Sequence, residues 1–115
     1  MANLLALEPE VRSRVEQMIA AVRGAGWYVT VTSGYRSVEE QERLYYGPHI
    51  LPVAVPGCST HNYGLAVDLV TDYPDQAGLA KAFGLIWAGR VDPVHYDVVG
   101  WSRWRSLIHD FVEGC

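Results

Sequence analysis

Two histidines and one aspartate combine residue type and position in a way that suits a metal site. Asp68 follows His61 after six intervening residues, and His95 lies further along the chain. Catalytic zinc is commonly held by three nitrogen and oxygen ligands from the protein, and a water molecule of lowered pKa takes the fourth position. His61, Asp68 and His95 satisfy that ligand count. Their spacing alone is weak support, because four histidines and thirteen acids allow such pairs by chance.

The surroundings of Asp68 give the spacing more weight. A strand is predicted over residues 65–70, where Asp68 interrupts an otherwise apolar run, and a carboxylate inside such a run needs a partner. Alternation along this strand places Asp68 on the same face as Ala66, while Val67 and Leu69 lie on the other face. The face that carries Asp68 can therefore host a site.

The segment around His95 is predicted to present a matching face. Alternation places His95 and Asp97 on one side of a strand and Tyr96 on the opposite side, so two strands could present Asp68 and His95 to each other. Asp92 precedes His95 by three residues, with a proline between them that favours a turn. From there Asp92 could act as a general base on the water and later protonate the leaving amine. The alternative is a carboxylate that caps a turn.

Periodicity and capping signals predict an α+β chain with helices around one small, mostly antiparallel sheet. Apolar residues recur at helical spacing over 9–23, and Ser37 with Glu40 fits a capping box before a helix over 38–46. The remaining elements predicted are strands over 27–32, 65–70, 85–88 and 95–99, a helix over 75–83 and a proline-rich surface loop over 47–60. A last helix is predicted to pack these side chains on the core: Trp101, Trp104, Leu107, Ile108, Phe111 and Val112.

Length and charge narrow the classes of function. At 115 residues the chain is long enough for one compact domain, residues 1–115, and too short for two. A net charge of −4 without a basic stripe argues against nucleic acid as a partner. The apolar runs are far shorter than the ~20 residues that span a bilayer, so no membrane association is expected. We expect a monomer that is synthesised in the cytoplasm without a signal peptide.

The two cysteines are expected to be free thiols. Cys58 and Cys115 are too few for a disulfide framework, and cytoplasmic synthesis implies reducing surroundings. Cys58 precedes His61 by three residues and is thus an alternative zinc ligand, although one thiol beside one histidine is not a zinc-finger spacing.

Three segments of the chain resemble a known family of zinc peptidases. They are residues 33–37 (SGYRS), 56–69 (PGCSTHNYGLAVDL) and 92–96 (DPVHY). They look like D-alanyl-D-alanine carboxypeptidases and L-alanyl-D-glutamate endopeptidases, with phage endolysins as the nearest type, over about residues 27–99. The resemblance implies a hedgehog/DD-peptidase-like single domain. The chain departs from the family pattern at two places: Ala88 replaces a usual glycine, and the stretch from residue 68 to residue 92 is short. Both departures bear on the shape of the cleft and the choice of substrate more than on the metal site.

The resemblance implies one Zn²⁺ ion held by His61, Asp68 and His95. It also implies that Asp92 is the catalytic acid or base and that Arg36 binds substrate or stabilises the developing oxyanion; Gln41 matches a family position on the next helix. The structural alternatives are core histidines satisfied by backbone carbonyls, and a surface ion pair between Arg36 and a glutamate. Aromatic residues beside the proposed ligands are the candidates for substrate-binding walls of the cleft: Tyr63, Trp87 and Tyr96.

The function implied by the resemblance is hydrolysis of an amide bond in peptidoglycan stem peptides, with L-Ala–D-Glu favoured over D-Ala–D-Ala. A non-catalytic, zinc-stabilised binding module is the rival from another class. Asp92 disfavours that rival, since a binding module needs no acid at this position. A bacteriolytic endolysin of this kind would reach the cell wall through a membrane pore, after lysis, or as part of a phage particle.

Overall fold

A computed structural model describes residues 4–50, 52–100, 103–104, 106–107 and 115. Its helices are α1 (Pro9–Gly24), α2 (Val38–Tyr46) and α3 (Gln76–Ala82). Its strands are β1 (Val29–Ser33), β2 (Ala66–Thr71), β3 (Ile86–Trp87) and β4 (His95–Asp97). Two 3₁₀ turns lie at Thr60–Tyr63 and at Gly89–Val91, and residues 103–104 and 106–107 are also helical. Within the described ranges, no helix is both long and apolar enough to cross a membrane.

The four strands form one sheet in the order β1-β2-β4-β3, and each of the three pairings is antiparallel. The predicted α+β class with a small antiparallel sheet is therefore confirmed. An irregularity at the end of β1 brings Ser33 opposite Asp68, and Asp68 in turn pairs with His95 on β4. These three residues form a row across the sheet, which is what positions the site.

The hydrophobic core lies between α1 and one face of the sheet. The five apolar positions recognised at helical spacing in α1 are all buried: Val11, Val15, Met18, Ile19 and Val22. The sheet contributes Val67 and Leu69, which are 0% and 1% exposed, from the face of β2 opposite to Asp68. Full burial of such a side chain stabilises a fold by about 1.5–3 kcal/mol. The alternation predicted for β2 is therefore confirmed: Val67 and Leu69 face the core, and Asp68 faces the opposite side of the sheet, where the site lies.

Helix α2 begins where the sequence predicts, because its capping box forms. The Ser37 hydroxyl accepts a hydrogen bond from the Glu40 backbone, and the Glu40 carboxylate accepts one from the Ser37 backbone. Both bonds satisfy donors that the first turn of a helix leaves unpaired. The cap fixes the point at which the chain enters α2, and Arg36 stands immediately before it.

Cys58 and Cys115 form a disulfide, with their Cα atoms 5.7 Å apart, so the prediction of free thiols is wrong. The same bond excludes Cys58 as a zinc ligand. Trp104 also lies beside Cys58: its indole N–H donates to the Cys58 carbonyl at 2.8 Å. Trp104 is buried, as predicted, whereas Leu107 is 42% exposed. The rest of the predicted apolar face lies outside the described residues: Trp101, Ile108, Phe111 and Val112.

We expect Cys115→Ser to lower the free energy of unfolding by about 2–4 kcal/mol, because a cross-link between residues 57 positions apart restricts the unfolded chain. Urea unfolding of the oxidised protein and the variant measures this difference. Reductant should shift the midpoint of the wild type toward that of the variant and leave the variant unchanged. Equal midpoints for oxidised wild type and variant would contradict the stabilising role of the disulfide.

Candidate active site

His61 is held by a short 3₁₀ helix that begins after Ser59. The Ser59 hydroxyl accepts a hydrogen bond from the His61 backbone N–H at 3.2 Å, which caps the turn. Gly64 ends it with a φ of 71°, a conformation that favours glycine. A Cβ at Gly64 would also lie 2.8 Å from the backbone nitrogen of Glu8, where the chain before α1 passes. The local sequence therefore fixes the direction in which His61 leaves the backbone.

The three residues predicted as metal ligands converge on one point. One ligand atom from each of His61, Asp68 and His95 lies within 4.8 Å of the other two. Asp68 Oδ1 is 3.0 Å from His61 Nε2 and 3.4 Å from His95 Nδ1. The His61 side chain is 4% exposed and the other two are 17–18% exposed, so the cluster sits at the base of a depression.

The outer nitrogen of each imidazole is occupied by an acceptor. The Gly34 carbonyl oxygen lies 2.9 Å from His61 Nδ1, and Asp97 Oδ2 lies 2.7 Å from His95 Nε2. A carbonyl and a carboxylate only accept hydrogen bonds, so these two nitrogens carry the protons. In a neutral ring, His61 Nε2 and His95 Nδ1 then present lone pairs toward Asp68 Oδ1. Three acceptor atoms this close repel one another unless a cation or a proton lies among them.

The pKa values of Asp68 and His95 also indicate that positive charge is stabilised among the three side chains. Burial alone would raise the pKa of Asp68, but hydrogen bonds with His61 and His95 outweigh burial and hold the pKa well below its usual range. Burial alone would lower the pKa of His95, but the hydrogen bonds with Asp68 and Asp97 raise it to about 9. The cluster thus favours positive charge at its centre, as a site for a divalent cation does.

Arg36 is held beside the cluster by two neutral side chains. Its guanidinium donates to Gln41 Oε1 and to Ser33 Oγ, both at 2.9 Å, and lies 3.6 Å from Asp68 Oδ2. Gln41 is 1% exposed and donates its own amide to the Ala54 carbonyl at 2.9 Å. Among the residues that the structure describes, the carboxylate paired with Arg36 is that of Asp68 and not that of a glutamate. Arg36 instead supplies a fixed positive charge next to Asp68.

Asp92 lies directly after the 3₁₀ turn Gly89–Val91 and lines the same cleft as the cluster. Its backbone carbonyl accepts a hydrogen bond from the His95 N–H at 3.0 Å, and its carboxyl group is near enough to the cluster for the charges of Asp68 and the two histidines to act on it. Burial raises the pKa of Asp92, and the negative charge of Asp68 raises it further, against the opposing effects of the two histidines and Arg36. A carboxyl group in this setting can hold a proton at higher pH than an exposed aspartate.

These residues line a cleft of about 320 Å³ whose walls are mainly apolar. Part of the apolar lining comes from α2 and the 47–59 loop: Leu44, Pro52, Val53 and Ala54. The rest comes from β3, from the residues between β3 and β4, and from Trp104: Ile86, Val91, Val94 and Trp104. The proline-rich loop, predicted to run over the surface, therefore forms part of the cleft. Sequence reasoning missed the apolar lining, because nothing in its local pattern separates it from ordinary loop and strand residues.

The three aromatic residues predicted as cleft walls do not line this cleft. Tyr96 is fully buried, because alternation along β4 turns it into the core, away from the face that carries His95. The Trp87 indole donates to the Pro93 carbonyl at 2.7 Å, and its ring packs against the core. Tyr63 donates its hydroxyl to the Gly57 carbonyl at 2.7 Å and packs its ring against Trp104.

Comparison with known proteins identifies the family. The family model of VanY, described as D-alanyl-D-alanine carboxypeptidase, matches residues 4–91. The chain belongs to this VanY family. The matched stretch includes Arg36, His61 and Asp68 and ends just before Asp92 and His95, so the last two are supported by the geometry of the site.

Curated relatives agree with the family. The chain is 27% identical to the peptidoglycan L-alanyl-D-glutamate endopeptidase CwlK of Bacillus subtilis (strain 168), over 90% of the chain and 71% of CwlK. It is 36% identical to the bifunctional D-Ala-D-Ala dipeptidase and carboxypeptidase VanXYC of Enterococcus gallinarum. That second match covers 55% of the chain and 37% of VanXYC. This VanY-family chain is a peptidoglycan peptidase, which is a hydrolase, and the non-catalytic binding module loses its support.

Solved structures show the same fold. A vancomycin-resistance D,D-pentapeptidase VanY, solved in complex with Zn(II), superposes with a TM-score of 0.67 at 24% identity, over 90% of the chain and 78% of that protein. The LD-carboxypeptidase LdcB superposes with a TM-score of 0.65 at 22% identity, over 92% of the chain and 72% of that protein. The small antiparallel sheet with flanking helices is thus the VanY-type fold.

Proposed function

We propose that this VanY-family peptidase is a zinc-dependent endopeptidase that hydrolyses the L-Ala–D-Glu bond of peptidoglycan stem peptides. The observation that carries the proposal is the convergence of His61 Nε2, Asp68 Oδ1 and His95 Nδ1 at one point of the cleft. Asp92 and Arg36 stand beside that point with complementary charges. The choice of bond is supported by the likeness to CwlK, which is named for it.

The donor set fits a zinc ion. Two imidazole nitrogens and one carboxylate oxygen are the ligands that catalytic zinc commonly takes, and the cluster offers His61, Asp68 and His95. When bound, zinc polarises the scissile carbonyl and makes water a better nucleophile near neutral pH. Within the described ranges, this is the one group of histidine, cysteine and acidic residues that could hold a metal ion.

Asp92 carries the proton through the reaction. As a carboxylate it accepts a proton from the attacking water, and as a carboxylic acid it then donates that proton to the nitrogen of the departing D-Glu. Its partial burial favours the protonated form, which the second step needs until the carbon–nitrogen bond breaks. The hydrogen bond from the His95 backbone N–H to the Asp92 carbonyl keeps Asp92 beside the metal ligand His95.

Arg36 supplies positive charge where the carbonyl oxygen becomes negative. Its guanidinium is fixed by Ser33 and Gln41 before substrate arrives, so no reorganisation is needed during the reaction. Within the described residues that line the cleft, Arg36 is the one arginine or lysine side chain. Arg36 is therefore the candidate in this cleft for stabilising the oxyanion.

We expect Arg36→Ala to lower kcat/KM by about 100-fold, the effect of removing one group that stabilises an oxyanion. Steady-state kinetics on a stem peptide measures the loss, and the zinc content should stay the same. Arg43→Ala, on the exposed side of α2, is the matched control and should leave the rate unchanged. Equal rates for Arg36→Ala and Arg43→Ala would remove Arg36 from the mechanism.

The second candidate bond is D-Ala–D-Ala, which the family description and the likeness to VanXYC favour. Two synthetic peptides separate the candidates: an L-Ala–D-Glu–L-Lys peptide with an amidated C-terminus, and a pentapeptide that ends in free D-Ala–D-Ala. Chromatography of the products is expected to show cleavage of the amidated peptide at its first bond. Faster release of terminal D-Ala from the pentapeptide would instead establish the carboxypeptidase.

Zinc binding near pH 7.5 is expected to release about one proton, because His95 has a pKa of about 9 in the metal-free protein and must bind zinc as a neutral ring. Calorimetry in buffers of different ionisation enthalpy measures the release. The same proton stabilises the metal-free fold below about pH 6.5, and this contribution is lost as the pH rises through about 9. A binding enthalpy that is independent of the buffer would contradict the predicted protonation.

The wider setting of the enzyme is also a proposal. A monomeric state, and delivery to the cell wall after release or on a phage particle, are proposed from the resemblance. Purified protein added to heat-killed bacteria tests the bacteriolytic part, because a lytic enzyme clears the suspension without help from another chain. Unchanged turbidity, with cleavage of soluble peptides intact, would argue against a free lysin.

A further inference from the structure

We infer that Asp97 is a positioning residue that holds the His95 ring with Nδ1 toward the metal. The inference rests on the proposed zinc site and adds a residue to it. Asp97 lies two positions after His95 on the same face of β4, and its side chain is 5% exposed. Its partner across the sheet on β2 is Ala66, whose small side chain leaves room beside the carboxylate.

Both oxygens of the Asp97 carboxylate are engaged. Oδ1 accepts a hydrogen bond from the Val99 backbone N–H at 3.1 Å, and Oδ2 accepts one from His95 Nε2 at 2.7 Å. The backbone bond fixes the carboxylate, and the fixed carboxylate then sets the rotation of the imidazole. The opposite ring nitrogen, Nδ1, faces Asp68 Oδ1 as a result.

The two histidine ligands are oriented by different means. His61 Nδ1 donates to the Gly34 carbonyl, a neutral main-chain acceptor that no side-chain substitution removes. His95 depends on a side chain that also carries a negative charge. A carboxylate on the outer nitrogen makes the inner nitrogen a stronger base and a better metal ligand. Thr60 Oγ1 also lies 3.4 Å from the same His95 nitrogen, a longer contact with a neutral group.

Direct binding of zinc by Asp97 does not fit this arrangement. Its carboxylate contacts Nε2, on the far side of the imidazole from Asp68, whereas the ligand atom of His95 that converges with the others is Nδ1. Asp97 therefore acts through His95. Its loss should appear first as weaker zinc binding and, at limiting zinc, as lower activity.

The test is the zinc dissociation constant of Asp97→Asn, measured by competition with a chromogenic chelator. We expect zinc to bind the variant about 10–100-fold more weakly than the wild type. Asp72→Asn is the matched control, because Asp72 also accepts a backbone N–H, from Tyr28 at 2.7 Å, but is exposed and away from the cluster. Equal affinity for wild type and Asp97→Asn would overturn the inference.

A second readout needs no variant, so it decides the matter even if Asp97→Asn fails to fold. Nitrogen-15 spectra of the histidine rings in the zinc-loaded wild type should show His95 with its proton on Nε2 and the metal on Nδ1. Metal on Nε2 would overturn the inference. A wild type that binds no zinc at all would overturn the proposed zinc site itself, whereas unchanged affinity in Asp97→Asn overturns only the role of Asp97.

Discussion

Asp92→Ala is expected to reduce kcat by about 10²–10⁴-fold while the protein still binds zinc, which is the effect of losing a general acid–base group. The substitution removes the carboxyl group of a residue that lines the cleft. It keeps the backbone carbonyl that accepts the His95 N–H, so the metal ligands should stay in place. Steady-state kinetics on the cleaved stem peptide, together with the zinc content of the purified variant, measures both parts of this prediction.

Asp92→Asn is the sharper form of the same experiment. Asparagine has nearly the shape of aspartate but neither accepts nor delivers the proton, so its loss of rate should match that of alanine. A variant of either kind that keeps a near-normal rate would remove Asp92 from the mechanism. Loss of zinc together with rate would instead assign Asp92 a role in the metal site, contrary to the placement of its carboxyl group outside the converging ligand atoms.

The second large effect is expected from His61→Ala, which should lose both zinc and activity. The His61 side chain is 4% exposed, and its Nε2 is one of the three converging atoms. Removing it leaves two ligands for a metal that needs at least three from the protein. The residual rate should equal that of wild type stripped of metal by a chelator, and added zinc should restore only the wild type.

Thermal unfolding with and without zinc gives a readout of His61→Ala that is independent of activity. Zinc at 100 times its dissociation constant stabilises the wild type by about 2.7 kcal/mol, and this increment should vanish in the variant. His49→Ala, in the 47–59 loop, is the control histidine and should keep the full response to zinc. A zinc-dependent shift in His61→Ala as large as in wild type would show that the metal binds elsewhere.

Much of the site could be predicted because side chains alternate between the two faces of a strand. The position of a residue in the strand therefore gives the face on which its side chain lies. Val67 and Leu69 had to enter the core, so Asp68 between them had to face the other side of β2. The same rule placed His95 and Asp97 together on β4. The capping box at Ser37 fixed the start of α2 and with it the position of Arg36.

The parts that were not predicted depend on contacts between distant segments. The disulfide joins residues 57 positions apart, and two cysteines in a sequence say nothing about the path that brings them together. Tyr96 was proposed for the cleft because it follows His95, yet neighbours on a strand point to opposite faces. Trp87 pairs with Tyr96 across the sheet and packs against the same core, and Tyr63 lies in a 3₁₀ turn, so neither position could be inferred from the sequence. The partners of Arg36 likewise needed the structure, since the irregularity that turns Ser33 toward Asp68 leaves no signal in the sequence.

The most direct test of the central claim is mass spectrometry of purified peptidoglycan fragments after incubation with the zinc-loaded protein, with His61→Ala treated in parallel. The proposed function predicts fragments with new L-Ala carboxyl ends and new D-Glu amino ends, produced by the wild type and absent with the variant. Loss of terminal D-Ala alone would contradict the proposed bond in favour of a carboxypeptidase. Intact fragments after treatment with protein that holds zinc would contradict the proposed peptidase activity.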